Sequence, residues 1–393
     1  MAQSIPDFND TAVAFKHLTH YELRRAYWLF KVIGKPIVVA MGPVMTDIAI
    51  KLHLPIQSLI KSTVFAHFCG GETIKESLKR VDELAEFHVG TILDFAREGE
   101  GKESDFDAVE TEIIRTIEEA AQHGSIPFAV FKPSGIGSIE LLTKVETGTG
   151  LTPFEEAAFQ RVHKRFENIC SYAANKNVRI MVDAEESWFQ NTVDALAKDM
   201  MQKYNKQRAI VFNTIQMYRH DRLAFLKEAF AAAEQGHYFL GVKLVRGAYM
   251  EKENRRAVQL GTRSPIYASK ELTDNAYDDA LTFCMDHVDR IAVCAGTHNE
   301  KSVKHLAGLM QKQNFEPHDS RIHFAQLLGM SDNLSFNLAA KDYNVAKYVP
   351  YGTVNELLPY LTRRAQENSS VLGQTSRELN LLSTEVRRRG LKR

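Results

Sequence analysis

From about residue 88 onward the hydrophobic positions fall into eight short, nearly continuous runs. Each stops at a charged, amide or aromatic residue, and most are separated by stretches with helical spacing. The runs are His88 to Asp94, Pro127 to Lys132, Val178 to Asp183, Ala209 to Gln216, Phe239 to Arg246, Arg290 to His298, Arg321 to Gln326 and Asn344 to Pro350. A strand buried on both faces reads as an unbroken apolar run. Alternating with helices, such runs predict an α/β fold, a distorted (β/α)8 TIM-type barrel. A barrel of this kind presents its chemistry at the carboxyl ends of its strands, so Lys132, Asp183, Gln216, Lys243, His298 and Tyr348 are expected to converge on one pocket.

Before the runs, residues 1–85 place apolar side chains at three and four spacing, as in Tyr21 to Phe30 and Ser77 to Glu86, which predicts an N-terminal helical arm. The domain expectation is that arm followed by a barrel over 86–393 that includes the C-terminal helices. The apolar stretch Pro36 to Thr46 is broken by prolines and a glycine and is about half the roughly 20 residues a spanning helix needs. It reads as a buried or amphipathic piece of the arm. The segment Gly135 to Gly150 reads as a glycine-rich loop at the edge of the site, and Thr152-Pro153 as a capped helix start. Outer helices are expected at Asp107 to His123, Asp221 to Gln235 and Asn275 to Val288. The tail from Ser376 to Arg389 reads as an amphipathic helix with a solvated basic end, not a membrane anchor.

Composition narrows the choices. The chain has 393 residues, long enough for one barrel with additions, and its 49 basic and 49 acidic side chains cancel. No global field recruits nucleic acid or an anionic membrane, so substrate charge must be read locally. Cys69, Cys170, Cys284 and Cys294 lack CxxC spacing and read as reduced thiols, while the amino terminus has neither a basic start nor an apolar core. The expected location is cytoplasmic. With no HExxH, P-loop or GxGxxG, no metal is expected, and Rossmann binding loses its usual support.

Candidate chemistry sits near the strand ends. In Tyr360-Leu-Thr-Arg-Arg-Ala-Gln-Glu-Asn368, the residues Tyr360, Arg363, Arg364 and Glu367 share one helical face. The two arginines either clamp a carboxylate or phosphate, or belong to a surface helix on which Glu367 pairs with one of them. Asp183 heads Asp183-Ala-Glu-Glu186 and is placed to enter the pocket; Glu185 and Glu186 read equally as a solvated loop start. Lys132 and Lys243 are costly to bury unless paired or bound to a ligand, which implies an anionic substrate or cofactor, although a snorkelling lysine satisfies the same pattern. Gly247 permits close approach of a ligand to the backbone. His298, within Thr297-His-Asn299, is as readily hydrogen-bonded structure as a functional group.

Taken in order, Lys132, Val182-Asp-Ala-Glu-Glu186, Lys243-Leu-Val-Arg-Gly-Ala-Tyr249, Gly296-Thr-His-Asn299, Gln326-Leu-Leu-Gly-Met330 and Tyr360 to Asn368 resemble the proline dehydrogenase (proline oxidase) flavoenzymes, over about residues 88 to 370. The resemblance implies noncovalent FAD at the strand ends. It also implies oxidation of L-proline to Δ1-pyrroline-5-carboxylate by hydride transfer to flavin, the first step of proline degradation to glutamate. It implies electrons passed to a quinone, a peripheral contact with the inner membrane, and a separate pyrroline-5-carboxylate dehydrogenase downstream.

By position in the motifs, Asp183 and Lys243 would be catalytic. Lys132, Arg363 and Arg364 would hold the substrate carboxylate, and Tyr348, Tyr360 and Leu327 would pack on its ring. The flavin would be lined by Ala184, Gln216, Lys243, Val245, Arg246, Gly247, Ala248, Tyr249, Thr297, His298, Asn299 and Glu367, and Glu98 would pair with Arg363. Many bacterial members carry arginine where this chain has Lys243, and the bulk of Tyr348 favours proline over hydroxyproline. From the residues alone, a Schiff-base aldolase using Lys132 or Lys243, with the arginines on a phosphate, stays open, as does a non-enzymatic scaffold.

Overall fold

Eight parallel strands close into a barrel in sequence order: β1 (Gly90–Phe95), β2 (Phe128–Phe131), β3 (Arg179–Val182), β4 (Val211–Gln216), β5 (Leu240–Val245), β6 (Ile291–Gly296), β7 (Ile322–Leu327) and β8 (Val345–Tyr351). The computed structural model describes residues 5–33, 60–97, 101–370 and 374–391. Every predicted run contributes one strand, and β1 closes on β8 with Ile92 opposite Tyr348 and Asp94 opposite Pro350.

Strand alternation divides the strand residues into two cores. Ile92, Phe128, Val130, Met181, Phe212, Cys294, Ala325, Ala346 and Tyr348 fill the interior of the barrel. Their neighbours Leu93, Ala129, Ile180, Val242, Val293, Phe324 and Val349 face the helical layer. All four cysteines are free and buried.

The helices, in chain order, are α1 (Thr11–Ala14), α2 (His20–Ile33), α3 (Ile74–Ala85), α4 (Glu103–Gln122), α5 (Ile139–Thr147), α6 (Pro153–Asn175), α7 (Gln190–Tyr204), α8 (Arg222–Gln235), α9 (Met250–Leu260), α10 (Lys270–Asp286), α11 (Glu300–Lys312), α12 (Asp332–Ala339), α13 (Val354–Ser370) and α14 (Gln374–Arg388), with a short turn of helix at Lys61–Phe68 left unlabelled. Several start where side-chain chemistry dictates. At α6 the Thr152 hydroxyl accepts from the Glu155 amide while the Glu155 carboxylate accepts from the Thr152 amide, the reciprocal capping box, with Pro153 in the first turn.

The expected loop at Gly135 to Gly150 is instead largely helical. Ser138 caps α5 by accepting from the Leu141 amide at 3.2 Å, Leu141 and Leu142 are buried, and Gly148 ends the helix at φ +64°. The four-residue hydrophobic pattern outweighs the flanking glycines. Gly137 is there for contact, since a Cβ would lie 2.5 Å from Val162.

The arm and the C-terminal helices pack together. Leu23, Ala26, Tyr27 and Phe30 of α2 share an apolar cluster with Leu381, Leu382 and Val386 of α14, Leu357, Tyr360 and Leu361 of α13, and Ala96 and Met330 just beyond β1 and β7. This cluster lies over the carboxyl end of the barrel. The arm's last helix, α3, belongs to the barrel layer, with Val81 and Leu84 in the main core.

At the tail Arg387 and Arg388 are exposed, as a solvated basic end requires, whereas Arg389 is drawn into the fold. Arg388 and Arg389 pair with the fully buried Glu385, and Arg389 donates to the carbonyls of Leu18 at 2.7 Å and Phe15 at 2.6 Å, tying α14 to the end of α1. Among the described residues no helix is long and apolar enough to cross a membrane. The stretch Pro36 to Thr46 lies outside the described residues.

Candidate active site

At the carboxyl end of the barrel, inward positions on five strands carry charge or a phenol. Lys243, near the end of β5, is 5% exposed. Its ammonium donates to the carboxylate of Asp183, just past β3, and to the hydroxyl of Tyr348 on β8 at 2.7 Å. The Tyr348 hydroxyl also lies 3.3 Å from Asp183 Oδ1, so the three side chains close a triangle across the barrel. Burial, reinforced by Asp183 and Asp94, pushes the Tyr348 phenol well above its ordinary pKa, which keeps it neutral and able to donate.

Beside this triangle, Lys132 beyond β2 pairs with Asp94 of β1 at 2.5 Å, with both side chains nearly buried. Lys132 is therefore no snorkelling stem. Asp94 was not among the residues singled out from sequence. Its one signal is that it ends an apolar run, and only the adjacency of β1 and β2 shows what it meets.

The ring-packing candidates meet at one place. Leu327, at the end of β7, packs against both the interior cluster that holds Tyr348 and the upper cluster that holds Tyr360. Its backbone is held from outside the barrel by Lys347, next to Tyr348 on β8 and so of opposite facing. Lys347 is fully buried, donates to the carbonyls of Met330 at 2.6 Å and Leu327 at 3.4 Å, and pairs with Asp332 at 2.8 Å. Sequence reasoning passed over this lysine.

Helix α13 supplies the arginine pair. Thr353 and Glu356 form its capping box, and Arg364 is buried, with its guanidinium 5.2 Å from the ring of Tyr360 one turn earlier. Arg363 is half-buried and lies 5.7 Å over the ring of Tyr249. This is not a surface helix. The backbone of Glu367 belongs to α13, but its side chain lies outside the described residues, as does Glu98.

The remaining candidates line the loops around this centre. Arg246 is locked by Asp274 at 2.7 Å, Thr297 Oγ1 at 2.6 Å and Ser302 Oγ at 2.9 Å. Asn299 caps α11 with its side chain. Gln216 donates to the carbonyl of Glu185 at 2.9 Å, and Glu185 accepts from the amide and hydroxyl of Ser134. Glu186 pairs with Lys252, and Ser187 donates to Glu253 on α9. Neither Glu185 nor Glu186 is solvated; together they brace the turn that carries Asp183 and Ala184.

Val245 ends β5, followed by the turn of Gly247 and the exposed Ala248. Gly247 adopts φ +128°, and a Cβ there would lie 2.4 Å from the Tyr218 ring, so the turn needs glycine on both counts. His298 is half-buried with Nδ1 2.9 Å from Ser331 Oγ. Burial and the nearby cations Lys347, Arg364 and Arg246 push it down to about 3, leaving a neutral hydrogen-bonding group.

These residues suit a planar cofactor that gains negative charge. Lys243 stands beside Thr214 in the β4–β5 register, and the buried Thr214 hydroxyl has no hydrogen-bond partner among the described residues. With the Gly247 turn and the cations Lys132, Lys243, Arg246 and Arg364, that orphaned hydroxyl gives a donor set matched to a carbonyl-bearing ring system and an anionic tail.

The Lys243–Asp183 pair also carries stability. Asp183→Asn should cost about 3 kcal/mol by leaving the ammonium buried without its counter-charge. Adding Lys243→Met should recover much of that loss, and urea unfolding of the two single variants and the double variant measures the coupling. Additive losses would show that the pair is not interacting.

Comparison with known proteins gives a consistent result. The family profile described as "Proline dehydrogenase" matches residues 77–377. The chain is 37% identical over 333 residues to the carbapenem antibiotics biosynthesis protein CarD of Pectobacterium carotovorum, covering 85% of this chain and 86% of that protein. It is 32% identical to proline dehydrogenase 1, mitochondrial, of Dictyostelium discoideum, covering 86% of this chain and 67% of that protein. The human proline dehydrogenase 1, mitochondrial, is 39% identical over 61% of this chain, which spans only 40% of the human protein. Among solved structures, proline utilization A of Bdellovibrio bacteriovorus superposes with a TM-score of 0.71 at 17% identity, covering 91% of this chain and 38% of that one, a likeness of fold.

Proposed function

The chain belongs to the proline dehydrogenase family, and from that premise we propose that it oxidises L-proline to Δ1-pyrroline-5-carboxylate with noncovalently bound FAD. Electrons would pass on to a quinone at the membrane, and a separate pyrroline-5-carboxylate dehydrogenase would take the product. The observation that carries the reading is the buried triangle of Lys243, Asp183 and Tyr348 beside the Asp94–Lys132 pair, at the mouth of a barrel capped by Arg363 and Arg364.

When bound, FAD supplies the hydride acceptor. The residues that would hold it are Gln216, Lys243, Val245, Arg246, Gly247, Ala248 and Tyr249 on one side. Ala184, Thr297, His298, Asn299 and Glu367 would complete the site. Lys243, held in place by Asp183, would offer a positive charge to a ring that gains negative charge on reduction.

Arg363, Arg364 and Lys132 would ion-pair the proline carboxylate, and Leu327, Tyr348 and Tyr360 would fix the ring so that the carbon beside nitrogen faces the acceptor. The cluster of Tyr360, Leu361 and Leu357 with the arm helix α2 would keep water away from that carbon. A Schiff-base role for Lys243 is disfavoured, because its ammonium is committed to a carboxylate and a phenol.

Replacing Arg364 by methionine should lower kcat/KM for L-proline by about 100-fold through loss of a buried charged pair with the substrate, while FAD remains bound. An unchanged kcat/KM would remove the clamp from the account. Because the substrate amine must be unprotonated before hydride can leave, kcat/KM should also rise from neutral to mildly alkaline pH. A flat profile over that range would count against hydride loss from the carbon beside nitrogen.

A further inference from the structure

Ser331 sits at the amino end of α12 with φ +52°, a left-handed conformation that a residue with a side chain adopts only when its surroundings impose it. Two contacts do so. Its amide donates to Glu378 Oε2 of α14 at 3.3 Å, and its hydroxyl lies 2.9 Å from Nδ1 of His298, beyond the end of β6. Glu378 is buried, lies outside the substrate machinery described above, and belongs to a helix that otherwise serves to pack the arm.

We propose that Glu378 and Ser331 are positioning residues for the flavin site: the Glu378 carboxylate fixes the Ser331 backbone, and the Ser331 hydroxyl fixes the imidazole of His298. This rests on reading His298 as a flavin contact. With Nδ1 engaged by Ser331, that contact falls to Nε2. The C-terminal helix is thereby coupled to the cofactor rather than being only a cover for the barrel.

The groups around Glu378 make the coupling responsive to pH. Asp332 at the start of α12 and Lys347 of β8 face it as a pair, His17 of the arm lies 3.4 Å from Asp332, and Arg377 adjoins it on its own helix. Burial, then Asp332, push the Glu378 carboxyl up to about 7, whereas His298, at about 3, stays neutral throughout. A raised carboxyl favours folding in its protonated form. Its stabilising contribution is complete below the ordinary carboxylate value and is lost as pH rises through 7. The relay runs the other way, because the carboxylate is the stronger acceptor and holds the Ser331 amide most firmly above about pH 7.

The test uses the full chain with ¹³C-labelled histidine, the His298 signal being identified by its loss in His298→Asn. The Cε1 resonance is followed from about pH 5.5 to 9 without flavin, in the unaltered protein and in Glu378→Gln, Glu378→Asp and Ser331→Ala. FAD affinity of the same proteins is measured by fluorescence. The His298 signal should shift with a midpoint near 7 in the unaltered protein, should still shift with pH in Glu378→Asp, and should stay fixed in Glu378→Gln and Ser331→Ala. FAD binding should weaken about fivefold in the last two and recover in Glu378→Asp. A His298 signal that still shifts near neutral pH in Glu378→Gln, or FAD affinity in both altered proteins matching the unaltered one, overturns the inference. An unaltered chain that binds no FAD while its His298 signal still follows Glu378 overturns the flavin reading of the site and leaves the relay standing.

Discussion

The ammonium of Lys243 is buried inside the barrel, and the rest of the site is arranged around the need to satisfy it. A buried cation costs several kcal/mol unless it is paired and hydrogen-bonded. Asp183 supplies the counter-charge and Tyr348 the second acceptor. Lys243 stands on β5 while its two partners come from the end of β3 and from β8, so the charge is held only when the barrel is closed with its strands in the observed register. Tyr348 shows the economy of the arrangement: its hydroxyl serves Lys243 and Asp183 while its ring lines the interior. The Asp94–Lys132 pair repeats the solution one strand away, so the mouth keeps its cations beside their carboxylates.

The same strand builds a second charged centre on its other face. Lys347, adjacent to Tyr348, points into the helical layer, where it holds the carbonyls of Leu327 and Met330 and pairs with Asp332. The loop after β7 is thus fixed from outside while Leu327 contributes to the pocket inside. His17 brings the arm to Asp332, and Glu378 brings α14 to Ser331. The segments that cap the barrel are bound to the loops that shape the pocket through buried polar groups as well as through apolar packing, which gives the cap a defined position.

The barrel was legible because burial of each strand on both faces leaves continuous apolar runs, and each of the eight runs falls on one strand, with ends within a few residues. The strand-end candidates were legible for the same reason, and Asp183, Lys243 and Tyr348 do meet. What escaped depended on register or on distant partners. Asp94 was visible as a run's last residue, but its pairing with Lys132 follows only from β1 lying beside β2. Lys347 was visible as a lysine among apolar residues, yet its partner Asp332 opens α12, whose placement against β8 the sequence does not define.

The segment from Gly135 to Gly150 was misread because its glycines drew attention from the Ser138 cap and the Ile139, Leu141 and Leu142 pattern that make a helix. Arg389 looked like a solvated end because its acceptors, the carbonyls of Phe15 and Leu18, are almost the whole chain away.

The central claim is that this barrel mouth holds a flavin and gives it electrons from proline. The most direct test is the visible spectrum of the purified protein, reconstituted with FAD and kept without oxygen, before and after addition of L-proline. Flavin absorption that bleaches on adding proline is the predicted result, since cofactor, substrate and hydride transfer must all be present to produce it. Flavin that binds but stays oxidised in excess proline would contradict the assigned substrate, and failure to retain FAD at all would contradict the site.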